Sequence, residues 1–434
     1  MTRTRSLHTL VALALLVPAP TTLAAEVTRV LSAAEPDDPF DLDVTLTWRH
    51  TTSRGKITRE LCSTYDPTTG TCGPGGSIID ATELGYTRTA DVPVARLAVG
   101  LYQDLELHVE LPWVLGDDKA LKYGSGVSDA NSSIHNEVYD ASGNPCPGGA
   151  GSCPIFPVPQ TGYHGKTFGD VLVGIAWGIL SEQRDDTKPT WVVGLDVTLP
   201  TATRYDPSTA PLSYDKSNPA AVGERIWRYD IWTALSKQFG AVDPYVRLHA
   251  SLPARSGTTY SNCDNAASLA ANTPPQPQMA VTAPAGCAAW GEAAAARPPR
   301  VLGMAFGTEL VAHENKREQQ RVAFDLRVGA EWTSDGRWYN ELTDATGKLM
   351  HSDAFATLHG LAGAYLRASS SVQFRLYADF RWQSDHYISG EPLSRAGVAA
   401  DNPNYDWRYD TVGRRFRISE STVLDLGGSF MFSF

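Results

Sequence analysis

Few residues of this chain could carry covalent chemistry. His249 and Ser251 stand two apart in an alternating stretch, so a strand would set them on one face. An imidazole beside a hydroxyl is the minimum for nucleophilic attack on an ester, with the histidine taking the proton. Here Leu252-Pro253 follows directly, and the parity turns both residues toward the face that carries Tyr245 and Arg247. Asp117/Asp118 and Asp185/Asp186 are paired carboxylates, but they lie in loop or turn sequence and read as solvated. No phosphate-binding loop, dinucleotide fingerprint or zinc-protease helix occurs. The expectation is no catalytic residue, no enzyme and no cofactor.

What the alternation does supply is charge. Opposite the apolar positions stand Arg49, Arg96, Arg228, Arg247, Arg327, Arg375 and Arg381. On the same side of the pattern stand Asp43, Glu106, Glu110, Asp196 and Asp230, then Asp325, Glu331 and Asp379. Inside a tube, both signs together can line a wetted pore and set a field across it. They can also pair into salt bridges that fill the bore. Both outcomes stay open, and Trp232, Tyr245 and Tyr377 on the same faces could stack a solute or simply fill space. The formal net charge of −11 disfavours nucleic acid as a partner.

Cysteine offers a third chemistry. Cys62/Cys72, Cys146/Cys153 and Cys263/Cys287 are near neighbours within segments rich in small and polar residues. Many connectivities are possible, and proximity favours the local ones. Such bridges would clip loops, each by roughly 2.5–3.5 kcal/mol. None of the pairs is Cys-x-x-Cys and no histidine stands at zinc spacing, so no metal is expected.

These residues need strands to position them. The last twelve residues show the pattern best. Leu424, Leu426, Phe430, Phe432 and Phe434 share one face; Val423, Asp425, Ser429 and Ser433 share the other. An aromatic terminus suits a strand that closes a barrel with its apolar face in lipid. Phe430, Phe432 and Phe434 also look like the signal by which outer-membrane barrels are recognised for assembly. Upstream, alternation predicts strands over 42–49, 84–101, 105–113, 168–180, 191–199, 227–235, 245–252, 301–312, 322–332, 355–366 and 374–382. Residues 116–166 read as one long loop. With the terminal strand, the count is about twelve, and connections alternate long and short. The class is all-β: a single transmembrane up-and-down antiparallel β-barrel, with periplasmic termini and long extracellular loops. An open sheet could not span, because its edge groups would go unpaired in hydrocarbon.

The ends complete the organisation. Residues 1–25 read as a signal peptide: Arg3 and Arg5, then an apolar run from Leu10 to Val17, then small residues. Residues 26–40 read as a short, loose periplasmic arm, too short for a plug domain but able to tuck into a lumen, and 41–434 as the outer-membrane barrel. The implied location is the outer membrane of a Gram-negative bacterium. The implied partners are outer-membrane lipid, the barrel assembly machinery and a small-molecule solute.

Two stretches resemble a known family. One is Gly100-Leu101-Tyr102-Gln103-Asp104-Leu105-Glu106-Leu107, running on to Leu111-Pro112-Trp113. The other is Phe168-Gly169-Asp170-Val171-Leu172-Val173-Gly174, followed by Gly194 to Leu199-Pro200-Thr201. They are similar to the outer-membrane transporter family linked to the meta-cleavage pathway of phenol degradation. The chain departs from that pattern at Ala202, where the family commonly has Gly, and in the cysteine-bearing loops. The resemblance implies passive uptake of small, hydrophobic or aromatic solutes, with no catalytic residues. The alternative is a structural or adhesive barrel with clipped surface loops and a filled lumen. A remote alternative is an outer-membrane lipase built on His249 and Ser251, although such lipases turn that pair outward to lipid.

Overall fold

The computed structural model describes residues 25–33, 41–66, 71–135, 154–209, 215–265, 295–315, 318–392 and 404–434. The expected signal peptide lies outside them, apart from Ala25. Twelve strands form the wall: β1 (Leu42–Cys62), β2 (Ile78–Tyr102), β3 (Leu105–Val114), β4 (Val171–Leu180), β5 (Thr190–Leu199), β6 (Ile226–Ser236), β7 (Val242–Arg255), β8 (Val301–Asn315), β9 (Gln320–Thr333), β10 (Phe355–Ser369), β11 (Val372–Gln383) and β12 (Phe416–Ser433). Each pairs antiparallel with its neighbours in sequence. The ring closes where β12 meets β1, from Asp43↔Ser433 to Arg59↔Phe416. Closure leaves no free edge among the twelve, which hydrocarbon demands.

The apolar alternation faces outward. On β9 the outward residues Phe324, Leu326, Val328 and Trp332 are all exposed, while Asp325 between them is buried. From Phe324 to Trp332 is roughly 26 Å along the strand, which tilt reduces to about the height of an outer-membrane belt. The outward tryptophans of the wall sort into two girdles. Trp48, Trp113, Trp227, Trp332 and Trp382 mark the end of the belt where the long loops leave. Trp177 and Trp191, with Tyr102, Phe239 and Phe434, mark the end with the short turns. At that turn end Asp104, Gly240 and Gln319 adopt positive φ. Both termini of the barrel also lie there, joined by Leu42 N–H to Phe434 O at 3.1 Å.

Two sequence expectations need correction. Residues 116–166 are not one loop: Gly116–Tyr123 pairs with β2, and Gln160–His164 pairs with Gly116–Tyr123. The sheet therefore continues beyond the belt on the β1–β2–β12 side. Asp117 consequently is not solvated; it is buried and bound by both ends of the Arg88 guanidinium, at 2.7 and 3.0 Å. Of the expected arm 26–40, the described part takes the second course open to it, tucked into the lumen. Residues 25–33 lie inside the turn end, with Ala25, Thr28, Leu31 and Ala33 buried.

The apolar core sits at the loop end, not within the belt. Ile57, Leu84, Phe416 and Ile418 point in from the wall. Onto them fold Ile134, Ile155 and Phe156 from one loop, Leu342 and Met350 from a second, and Ile388 and Tyr409 from a third. Cys62 and Cys72 form a disulfide at the tip of the β1–β2 hairpin, with Cα atoms 5.7 Å apart. Cys263 is also disulfide-bonded. Cys146, Cys153 and Cys287 lie outside the described residues.

Candidate functional site

The interior is built in three tiers. At the turn end, residues 25–33 are held almost wholly by polar contacts. The Glu26 N–H donates to Glu309 Oε1 at 2.6 Å, and the Leu31 N–H donates to Glu106 Oε2 at 3.1 Å. Arg29 pairs with Asp43 at 2.9 Å, and the Thr28 and Ser236 hydroxyls lie 2.7 Å apart. A cavity of about 540 Å³ remains beside this segment, lined in part by Arg29, Arg321, Tyr365 and Arg367.

The middle tier is a lattice of charge and rings. Arg96 pairs with Glu106 at 2.6 Å and lies 3.6 Å from Glu110. His108 stands between Glu106 and Asp196, at 3.1 Å from each. Asp196 also accepts from the Trp232 indole N–H at 3.0 Å. Arg327 donates to the Tyr245 hydroxyl at 2.9 Å and pairs with Asp325 at 3.2 Å. Arg381 joins Asp379 and Asp425 at 2.9 and 3.1 Å. Arg375 lies between the rings of Tyr365 and Tyr377, 4.9 and 5.0 Å from their centres. Arg228 pairs with Glu224 at 2.7 Å.

Other residues in this tier keep their surface. Arg49, in register with Gly427, is exposed within the ring. The side chains of Arg381, Glu110 and Arg96 remain 42%, 36% and 34% accessible. Among the described residues, Arg49, Arg247 and Asp230 make no ion pair. His249 and Ser251 share the interior face, but the nearest charge to His249 Nε2 is Glu331 Oε1, 3.5 Å away. No hydrogen bond joins His249 to Ser251 among the described residues.

Six interior glycines make room for this lattice. Gly174, Gly194, Gly303, Gly307, Gly329 and Gly427 each lie under a ring from the paired position of the next strand: His108, Trp232, His249, Tyr245, His359 and Tyr377. A Cβ at any of the six would overlap that ring.

The loop end forms the third tier. His164 and Tyr205 both contact Asp344, at 2.8 and 2.7 Å. Burial opposes the charge on Asp344, but Lys119 and His164 outweigh it and hold the carboxyl well below its usual range. Asp406 is treated likewise: burial raises its pKa, and Arg408 and Lys348 bring it down past the ordinary value. Asp410 goes the other way, pushed by burial up to about 6. The wall is also parted here. Pairing between β7 and β8 stops at Ser251↔Val301, although β7 runs to Arg255. A crevice of about 1030 Å³ opens beside Leu252, Leu302 and Trp332 and reaches the buried Arg337–Glu391 pair.

Sequence reasoning leaves out Glu309 and Asp425, both of which make interior contacts. Glu309 is hidden because its face-mates on β8 are Gly303, Ala305 and Gly307, which signal no polar side. Asp425 shows plainly in the alternation of the last strand.

No family model matches the chain, and no curated protein matches it in sequence. The barrel is similar to a solved outer membrane channel from Pseudomonas putida F1, at 10% identity over 95% of this chain and 100% of that one, with a TM-score of 0.43. It is similar to the TodX monoaromatic hydrocarbon channel at 7% identity over 91% and 90%, with a TM-score of 0.35. A Pseudomonas aeruginosa FadL homologue matches at 8% over 91% and 90%, with a TM-score of 0.31. These are likenesses of one barrel to another, and the chemistry of the interior stands on its own geometry.

Proposed function

We propose that the chain is an outer-membrane channel that passes small solutes down their gradient, with the long loops outside and both ends of the barrel in the periplasm. One observation carries this reading: charged side chains inside the wall, from Arg96 and Glu110 to Arg381 beside Trp382 at the loop end of the belt, keep a third or more of their surface accessible. A barrel serving only as a scaffold has no use for that space, since unfilled polar interior forgoes packing contacts. The fifteen charged inner-face residues expected from sequence, Asp43 through Arg381, then act as the bore. The segment 25–33 acts as its stopper at the turn end. Its anchors are hydrogen bonds and ion pairs, which exchange with water more readily than apolar packing does. The crevice between β7 and β8 gives apolar or aromatic solutes a side approach past Leu252 and Trp332.

The test is conductance in planar bilayers. The refolded chain should conduct in potassium chloride, and removal of residues 26–33 should raise the current several-fold. A sealed bilayer with both proteins removes the channel reading. The in-folded cap favours a second reading, a closed barrel whose loops meet a surface partner. Sealed bilayers together with loop-dependent cell binding would support it.

A further inference from the structure

We propose that the middle of the bore holds a binding site for a small organic carboxylate, with Arg247 on β7 as the group that takes the anion. The site deepens the channel reading above and rests on it for access. Four observations lead to it. Arg247 is flanked in register by Ala234 on β6 and Ala305 on β8, so the two positions paired with it carry only methyl groups. Its guanidinium therefore lies over the Trp232 ring, 4.9 Å from the centre. That ring is fixed from two sides, by Gly194 beneath it and by its N–H to Asp196 at 3.0 Å.

Among the described residues, no carboxylate lies within ion-pair distance of Arg247. The acids nearest in the pattern are otherwise placed. Asp196 is taken up by Trp232 and His108. Asp230 faces Ser251, four residues along β6 from the position opposite Arg247. Asp325 is held by Arg327 and by Tyr245, the face-mate of Arg247. Every other arginine named in the middle tier has a carboxylate or two rings against it, except the exposed Arg49.

A guanidinium stacked on an indole keeps its in-plane N–H edge free. That edge matches the two oxygens of a carboxylate, which accept parallel hydrogen bonds from it. A neutral amide of the same shape offers only one acceptor oxygen and no charge. The discrimination between the two therefore belongs to Arg247.

Calorimetry of the full chain refolded in detergent tests this with sodium benzoate and benzamide as probes. Benzoate should bind and benzamide should not. Arg247→Gln should weaken benzoate by about tenfold or more, and Arg247→Lys, which keeps the charge but not the fork, by less. Arg54→Gln, on the outer face of β1 beyond the belt, should change nothing. The proposal is overturned if benzoate does not bind, if benzamide binds as well, or if Arg247→Gln binds benzoate like the parent. Should Arg247→Gln fail to fold, the lysine variant decides: unchanged binding overturns the assignment. A silent bilayer with benzoate binding intact removes the channel and leaves the site. A conducting barrel with no benzoate binding does the reverse.

Discussion

At the scale of single residues, the interior is governed by what fits under a ring. Gly194 and Gly307 exist as glycine because Trp232 and Tyr245 occupy the space a side chain would take. Gly307→Val should therefore destabilise the barrel by about 1–3 kcal/mol, as overpacking does elsewhere. A urea midpoint equal to that of the parent, measured on protein folded into detergent, would show that Tyr245 has room to move. Asp410 supplies a pH dependence. Its folded pKa, about 6, lies above the ordinary carboxyl value because burial favours the neutral form. Its contribution to stability is thus complete below the unfolded value near 4 and is lost as pH rises through about 6. Amide protection factors around residues 404–413, with the intrinsic base catalysis of exchange divided out, should fall as pH rises from about 4 to 6. The Asp410→Asn variant should abolish that change; an identical pH response in the variant would locate the titrating group elsewhere.

Elements divide by how openly the sequence declares them. The wall strands are legible because lipid on one side and charge on the other impose strict alternation, as in Phe324 to Trp332. Gly116–Tyr123 was not legible. It stands beyond the belt, where no lipid demands apolar residues, and Leu121 shares its buried face with Asp117. The placement of residues 25–33 was left open between a loose arm and one tucked inside, since a polar segment bound to polar partners looks the same as one bound to water. The loop-end core escaped for a related reason: Ile134, Ile155 and Phe156 are scattered among polar residues, and only the folded loops bring them together. Two expectations follow for these elements. Cys72→Ser releases a clip that spans 10 residues, worth about 2.5–3 kcal/mol to the hairpin tip. Proteolysis within 63–77 should speed up while the thermal midpoint of the barrel stays put; a fall in that midpoint would make the tip part of the global fold. Thr28→Val breaks the contact to Ser236 and should increase the open time of single channels, if the segment is the stopper. Unaltered gating would place the obstruction at the loop end instead.

For the molecule as a whole, the decisive asymmetry is between outside and inside. Val328 sits in the belt with 65% of its surface free, and only lipid can satisfy that face. Val328→Arg should cost about 2–4 kcal/mol of folding stability in bilayers, the value for a cation near mid-membrane. Titration of folding with denaturant in phosphatidylcholine vesicles reads this directly. A change below about half a kcal/mol would mean that the belt had been drawn at the wrong height.

The wall is also uneven in height. From Trp48 to Cys62, β1 climbs on the order of 30 Å past the membrane, and β2 and β12 rise with it, while β5 and β6 stop level with Trp227. The mouth is thus shielded on one flank and low on the other. With the long loops facing outward, as proposed above, a bulky visitor to the mouth meets a parapet on the β1–β2–β12 flank, and a small molecule finds a doorstep at β5 and β6.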